Sequence, residues 1–121
     1  MKEIILVGAG GFTGSIARYG LTLLIKTAVP AMIFPLPTFI VNLLGSLLIG
    51  LLFPVLSNNG NIMLLCIVGF CGGFTTFSTF SMENLILIKE GQWTMALIYI
   101  LLSVVLCIAG AFAGMALGSR L

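Results

Sequence analysis

Five hydroxyl side chains, Thr75, Thr76, Ser78, Thr79 and Ser81, follow the adjacent glycines Gly72 and Gly73 and share their stretch with Phe77 and Phe80. Two other polar sets recur at steps of four: Thr38, Asn42 and Ser46, and later Tyr99, Ser103 and Cys107. Residues four apart share a helix face, so each set makes a polar stripe. Most of these groups are neutral hydrogen-bond donors. An amide N–H and several hydroxyls can replace the water around a small, hard anion, and the positive edge of an aromatic ring adds a weak contact. Phe77 and Phe80, three apart, can turn their edges to one path. Cation pathways are commonly lined by carboxylates. This chain has no Asp, and Glu3, Glu83 and Glu90 stand near segment ends, so the residues suit an anion better than a cation.

Each group also has a plainer reading. The Thr38 stripe can join helices by hydrogen bonds, Ser103 can bond its own helix, and two phenylalanines at this spacing commonly pack. Against the plain reading of Asn42, an amide near mid-depth is costly without a purpose.

These side chains must be held in hydrocarbon. Of 121 residues, 60% are apolar and 7% charged, against about one quarter charged in an average soluble domain. Four apolar segments, 4–25, 38–56, 62–88 and 94–117, take up nearly the whole chain. Each is close to the roughly 20 residues that cross about 30 Å of hydrocarbon. They predict an all-α membrane protein with four transmembrane helices in a single domain. No length remains for a catalytic domain or a nucleotide-driven motor, and a net charge of +2 without a basic run points to no nucleic acid.

The third segment is long for one straight crossing. Glycines followed by hydroxyls that compete for backbone hydrogen bonds predict a break at Gly72-Gly73, within the interval Gly72 to Thr75. Irregular backbone at membrane depth is tolerated only where it is buried in protein or lines a watery path. Two half-helices meeting there place N–H-rich and carbonyl-rich ends at mid-membrane. A two-fold dimer that joins two such breaks would coordinate a small cation through backbone oxygens.

The remaining features constrain rather than suggest. Gly8-Ala9-Gly10-Gly11-Phe12-Thr13-Gly14 after an apolar run imitates a dinucleotide-binding loop, but no acidic residue follows about 20 positions on and no strand–helix alternation is present. Gly10, Gly14 and Ala17 instead make a smooth face for close helix packing, as do Gly110, Gly114 and Gly118. Cys66, Cys71 and Cys107 lack metal-ligand spacing and read as small apolar residues, and there is no histidine. Arg18 needs a carboxylate, carbonyls or water if it is buried; with Tyr19 and Lys26 nearby it has the alternative of snorkelling to an interface. Lys2 and Arg120 fall on one side of four crossings and Lys26 and Lys89 on the other. So even a tally leaves orientation unbiased and makes antiparallel pairing in opposite orientations the natural expectation.

With these residues assembled, the sequence resembles the small bacterial fluoride channels, the CrcB or Fluc family. The resemblance lies in Gly10 through Tyr19, in Thr38 through Gly45, and above all in Gly69-Phe70-Cys71-Gly72-Gly73-Phe74-Thr75-Thr76-Phe77-Ser78-Thr79-Phe80-Ser81 with Glu83. It implies a dual-topology antiparallel dimer, made with an identical chain or an oppositely oriented paralogue. It further implies two pores that export fluoride passively across the cell membrane, without enzymatic activity. Carried onto this sequence, it makes Phe77 and Phe80 the pore phenylalanines and Asn42 the pore-facing amide. Thr38, Thr79, Tyr99 and Ser103 become members of a polar track. The carbonyls of Gly72 and Thr75 become ligands of a structural sodium ion, and Arg18 and Glu83 become vestibule residues. Two positions depart from the family pattern: Pro37 stands where glycine usually precedes Thr38, and Cys107 where a serine often continues the track. The rival reading from a different class is a small dual-topology proton-coupled exporter, for which Glu83 is the one acid available inside a segment.

Overall fold

The computed structural model describes residues 1–121, all helices and connections with no strand. Helix α1 spans Lys2–Ala28, α2 spans Leu36–Leu56, the third crossing occupies Gly60–Lys89, and the last helix is Trp93–Gly118. All four are long and apolar enough to cross a bilayer. Pro30 and Pro35 bracket the first connection, and Pro35 precedes α2 as its N-cap. The second connection ends on Asn59, whose side chain accepts from the Ile62 N–H at 3.3 Å and so starts the third crossing. At the third connection Gly91 takes φ 77°, a left-handed value that reverses the chain within three residues.

The third crossing is not one helix. A short α3 (Gly60–Met63) widens into a π-helical stretch, Leu64–Cys71, and returns to α-helix as α4 (Gly72–Phe74). Thr75 (φ −82°, ψ 158°) and Thr76 (φ −150°, ψ 117°) are extended, and α5 (Phe77–Lys89) follows, leaving Trp93–Gly118 as α6. The break therefore falls on Thr75–Thr76 and not on Gly72-Gly73. Both glycines stay helical because Gly73 is used for contact: a Cβ there would lie 2.5 Å from the Gly11 carbonyl oxygen of α1.

Two helix pairs carry the packing, and both depend on missing side chains. Alpha-carbon hydrogens of Gly10 and Gly14 lie directly on the backbone of Leu65 and Phe70, so α1 rides against the π stretch with no room for a methyl group. On the other side, Gly50 of α2 meets Ala111, while Gly114 and Gly118 of α6 meet the Leu47 and Leu51 carbonyls. Between α5 and α6 lies a small apolar cluster of Leu87, Ala96 and Tyr99, with Phe34, Phe39 and Phe80 against it. Large apolar side chains such as Phe12, Ile16, Leu101, Val105 and Phe112 point outward. That arrangement suits hydrocarbon or another helix, not water.

Candidate functional site

Breaking a helix frees backbone groups that hydrocarbon cannot satisfy. Side chains from α1, from α2 and from the break itself satisfy them here. Asn42, in the N-terminal third of α2, faces Thr76 squarely: its Nδ2 donates to the Thr76 carbonyl at 3.1 Å and its Oδ1 accepts from the Thr76 N–H at 2.8 Å. Arg18 on α1 donates Nε–H to the Gly73 carbonyl at 3.2 Å, with the Ser15 hydroxyl on the same oxygen at 3.5 Å. Arg18 therefore has a carbonyl partner through Nε, while the rest of its guanidinium lines a cavity. Thr76 in turn starts α5 as its N-cap, its hydroxyl oxygen accepting from the Thr79 N–H at 3.3 Å and donating to Thr79 Oγ1 at 3.0 Å. The Thr75 hydroxyl bonds back to the Cys71 carbonyl at 2.9 Å, and its methyl group fills the space left by Gly45.

The first turn of α5 carries the two rings. Phe77 and Phe80 have centroids 5.5 Å apart at an interplanar angle of 42°. Phe77 is 79% exposed, while Phe80 is half-buried with its ring 5.0 Å from Tyr99 in an edge-to-face contact. Tyr99 itself is fully buried. Its hydroxyl donates to Glu83 Oε2 at 2.8 Å, and the Thr38 hydroxyl donates to Glu83 Oε1 at 2.7 Å. Glu83 thus gathers, from two other helices, two of the residues assigned by resemblance to the track.

Ser103, one turn along from Tyr99, is buried, and its Oγ has no hydrogen-bond partner. Ser103 and Cys107 line an open groove of about 600 Å³ together with Asn42, Ser46, Phe77 and Phe80. The same groove reaches Thr75 and Thr76 at the break and Gly72 shortly before it. A second cavity, of about 500 Å³, opens beside the proline-bracketed connection and is floored by Arg18, Thr38, Thr76, Thr79 and Glu83. So most of the residues singled out in the sequence line two adjoining hollows with Thr76 common to both, whereas Tyr99, fully buried, lines neither.

Site-building residues missed by sequence reasoning are Ser15 and Gly73, which meet at Arg18, and Thr76 as a cap. The Thr76 spacing to Thr79, immediately before the apolar turn of α5, was a readable cap signal. No local pattern marks Gly73 as an acceptor.

A hard monovalent cation is held by oxygen atoms, as unwound carbonyls do in membrane proteins. The Thr75 carbonyl accepts no hydrogen bond from any donor in the chain. Gly72 is exposed, with nothing within 4 Å of the position a Cβ would take. The free Thr75 carbonyl fits the role of a backbone ligand, and Gly72 lies exposed on the same groove with no side chain to block an approach.

Known proteins resemble this chain over nearly its whole length. Residues 5–115 match the family described as CrcB-like protein, Camphor Resistance (CrcB). A protein of Elusimicrobium minutum named a fluoride-specific ion channel FluC is 46% identical over 114 residues, covering 94% of this chain and 91% of that one. One of the same name from Coxiella burnetii is 44% identical over 124 residues, covering 98% and 99% of the two chains. Another, from Phocaeicola vulgatus, is 46% identical over 117 residues, covering 94% and 96%. With its broken third crossing and this match over nearly its whole length, the chain belongs to the CrcB-like family.

Proposed function

We propose that this multi-pass protein of the cell membrane is a fluoride channel that lets fluoride leave the cell passively, and that it acts as a conduit and not as a catalyst. The observation that carries the reading is the Thr75–Thr76 break, stapled by Asn42 and Arg18 and followed at once by the Phe77 and Phe80 rings. A donor-rich passage of this kind replaces the hydration of a small anion, and its one carboxylate, Glu83, is occupied by the Thr38 and Tyr99 hydroxyls. The names carried by the similar proteins support fluoride as that anion.

Two copies in antiparallel orientation complete the passage. Phe77 is too exposed in one chain to bound a path alone, and the open groove beside it supports a second copy, or an oppositely oriented paralogue, as its other wall. The same pairing would bring two Thr75 carbonyls and two Gly72 carbonyls together, enough oxygens to hold a sodium ion that ties the dimer at its centre.

The test is flux from liposomes. Purified protein, loaded with fluoride and supplied with potassium permeability, is expected to release fluoride rapidly and chloride not at all, whether or not a pH gradient is imposed. Flux that requires the gradient would replace the channel by a proton-coupled exporter working through Glu83. Replacing sodium throughout by a bulky organic cation is expected to impair flux and dimer integrity together; unchanged dimer and flux would remove the ion from the account.

A further inference from the structure

Arg18, Thr22 and Lys26 follow one another at steps of four on α1, and all three line the 500 Å³ cavity whose floor includes Thr79 and Glu83. Arg18 is half-buried at the inner end, and Lys26 is exposed at the outer end, in the last turn of the helix. Neither cation pairs with a carboxylate. Glu83, the one acid in the cavity, is taken by the Thr38 and Tyr99 hydroxyls, and Arg18 engages only its Nε, on the Gly73 carbonyl. The cavity therefore holds two cations against one carboxylate, and the Lys26 ammonium makes no hydrogen bond within the chain.

We propose that Lys26 is the outer cation of an anion-gathering mouth: it raises the concentration of small anions at the opening of this cavity and passes them inward to Arg18 and the break. The proposal rests on the fluoride-channel reading and adds to it a residue that acts at a distance. Unpaired charge lining a low-dielectric cleft focuses the field and concentrates counter-ions. A unit charge about 10 Å from an ion's path in water changes the local anion concentration roughly two-fold when salt is low, and very little at about 1 M salt, where the screening length falls to about 3 Å. The signature of such a role is salt dependence, which a merely structural lysine would not show.

The experiment measures unitary fluoride current in planar bilayers for wild type, Lys26→Gln, Lys26→Glu and Lys26→Arg. Unitary current is read instead of total flux because losing one basic residue also shifts the insertion bias of a chain so evenly balanced. At about 10 mM salt, Lys26→Gln is expected to lower the current roughly two-fold and Lys26→Glu roughly four-fold, with Lys26→Arg at the wild-type value and all four converging at about 1 M. Equal currents for wild type and Lys26→Gln at low salt would overturn the proposal, as would a reduction that persists unchanged at high salt or is shared by Lys26→Arg. A wild-type protein that carries no fluoride at all would instead overturn the channel reading on which the proposal stands.

Discussion

Asn42 and Thr76 are paired through both backbone groups of one residue: the amide of Asn42 gives a hydrogen to the Thr76 carbonyl and takes one from the Thr76 N–H, at 3.1 and 2.8 Å. A side-chain amide has the same donor and acceptor spacing as a neighbouring strand, so one residue on α2 supplies what the missing helical turn would have supplied. Its second Nδ2 hydrogen is not used within the chain and remains for an ion or water.

Asn42→Ala is expected to leave the part-buried Thr76 N–H and carbonyl without their protein partner, at up to about 1–3 kcal/mol for each. The thermal transition of the detergent-solubilised variant should fall clearly below that of wild type, and Asn42→Asp should not rescue it, because its second carboxylate oxygen would face the Thr76 carbonyl, acceptor against acceptor. An Asn42→Ala protein that melts normally but carries no fluoride would mean that the amide serves the ion and not the break.

The Glu83 carboxylate divides its two oxygens between Thr38 and Tyr99. Hydrogen bonds to a charged acceptor contribute about 1.5–3 kcal/mol each, so Thr38→Val and Tyr99→Phe should each destabilise the fold. Because both act on one carboxylate, their effects should not add. A double-mutant cycle on melting should give a coupling of about 0.5–3 kcal/mol, and strict additivity would show that the two hydroxyls act independently of their shared partner.

Glycine substitutions separate two faces of α1. At Gly10 and Gly14 a Cβ would overlap the backbone of Leu65 and Phe70, whereas at Gly8 and Gly20 nothing lies within 4 Å. Gly10→Ala and Gly14→Ala should abolish the folded protein or lower its melting sharply, because backbone cannot step aside as a side chain can. Gly8→Ala and Gly20→Ala should be neutral or stabilising by about 0.5–1 kcal/mol from helix propensity alone. Measuring monodisperse yield and melting for the four variants checks this, and damage at Gly8 would reveal a face that meets another chain.

Much of this was legible in the residues, and the exceptions have a common cause. The four crossings and the glycine faces at Gly10, Gly14, Gly114 and Gly118 follow from apolar run length and helical period, which are local properties. The break begins at the far end of the expected Gly72–Thr75 interval, not at its glycines, because glycine has two uses. Helix weakening was assigned to Gly72 and Gly73, but Gly73 serves the close approach of α1, and the chain opens instead where Thr76 can cap α5 and Asn42 can pair the freed backbone. The cost of an amide at mid-depth signalled that Asn42 has a purpose; its partner could not be read, because Thr76 reaches it only through the tertiary fold. Likewise the meeting of Thr38, Glu83 and Tyr99 depends on how three separate helices pack, which no spacing along one of them encodes.

Phe77 gives the sharpest separation between fold and function. It is 79% exposed and its nearest ring is Phe80 at 5.5 Å, whereas Phe80 also packs edge-on against the buried Tyr99. Within one chain, then, Phe77→Ile removes little, and its melting should stay within about 0.5 kcal/mol of wild type, as exposed substitutions do. Phe80→Ile loses an aromatic pair and should cost about 1 kcal/mol. Fluoride flux should fall at least about ten-fold in both, since a loss of roughly 1.4 kcal/mol at a narrow point of the path suffices for that. Flux and melting are measured on the same preparations so that they can be compared variant by variant. If Phe77→Ile lowers melting and dimer content along with flux, the ring is an anchor for the second copy; if it lowers neither, the ring lies outside the path; only a loss of flux at unchanged stability assigns it to the passage itself.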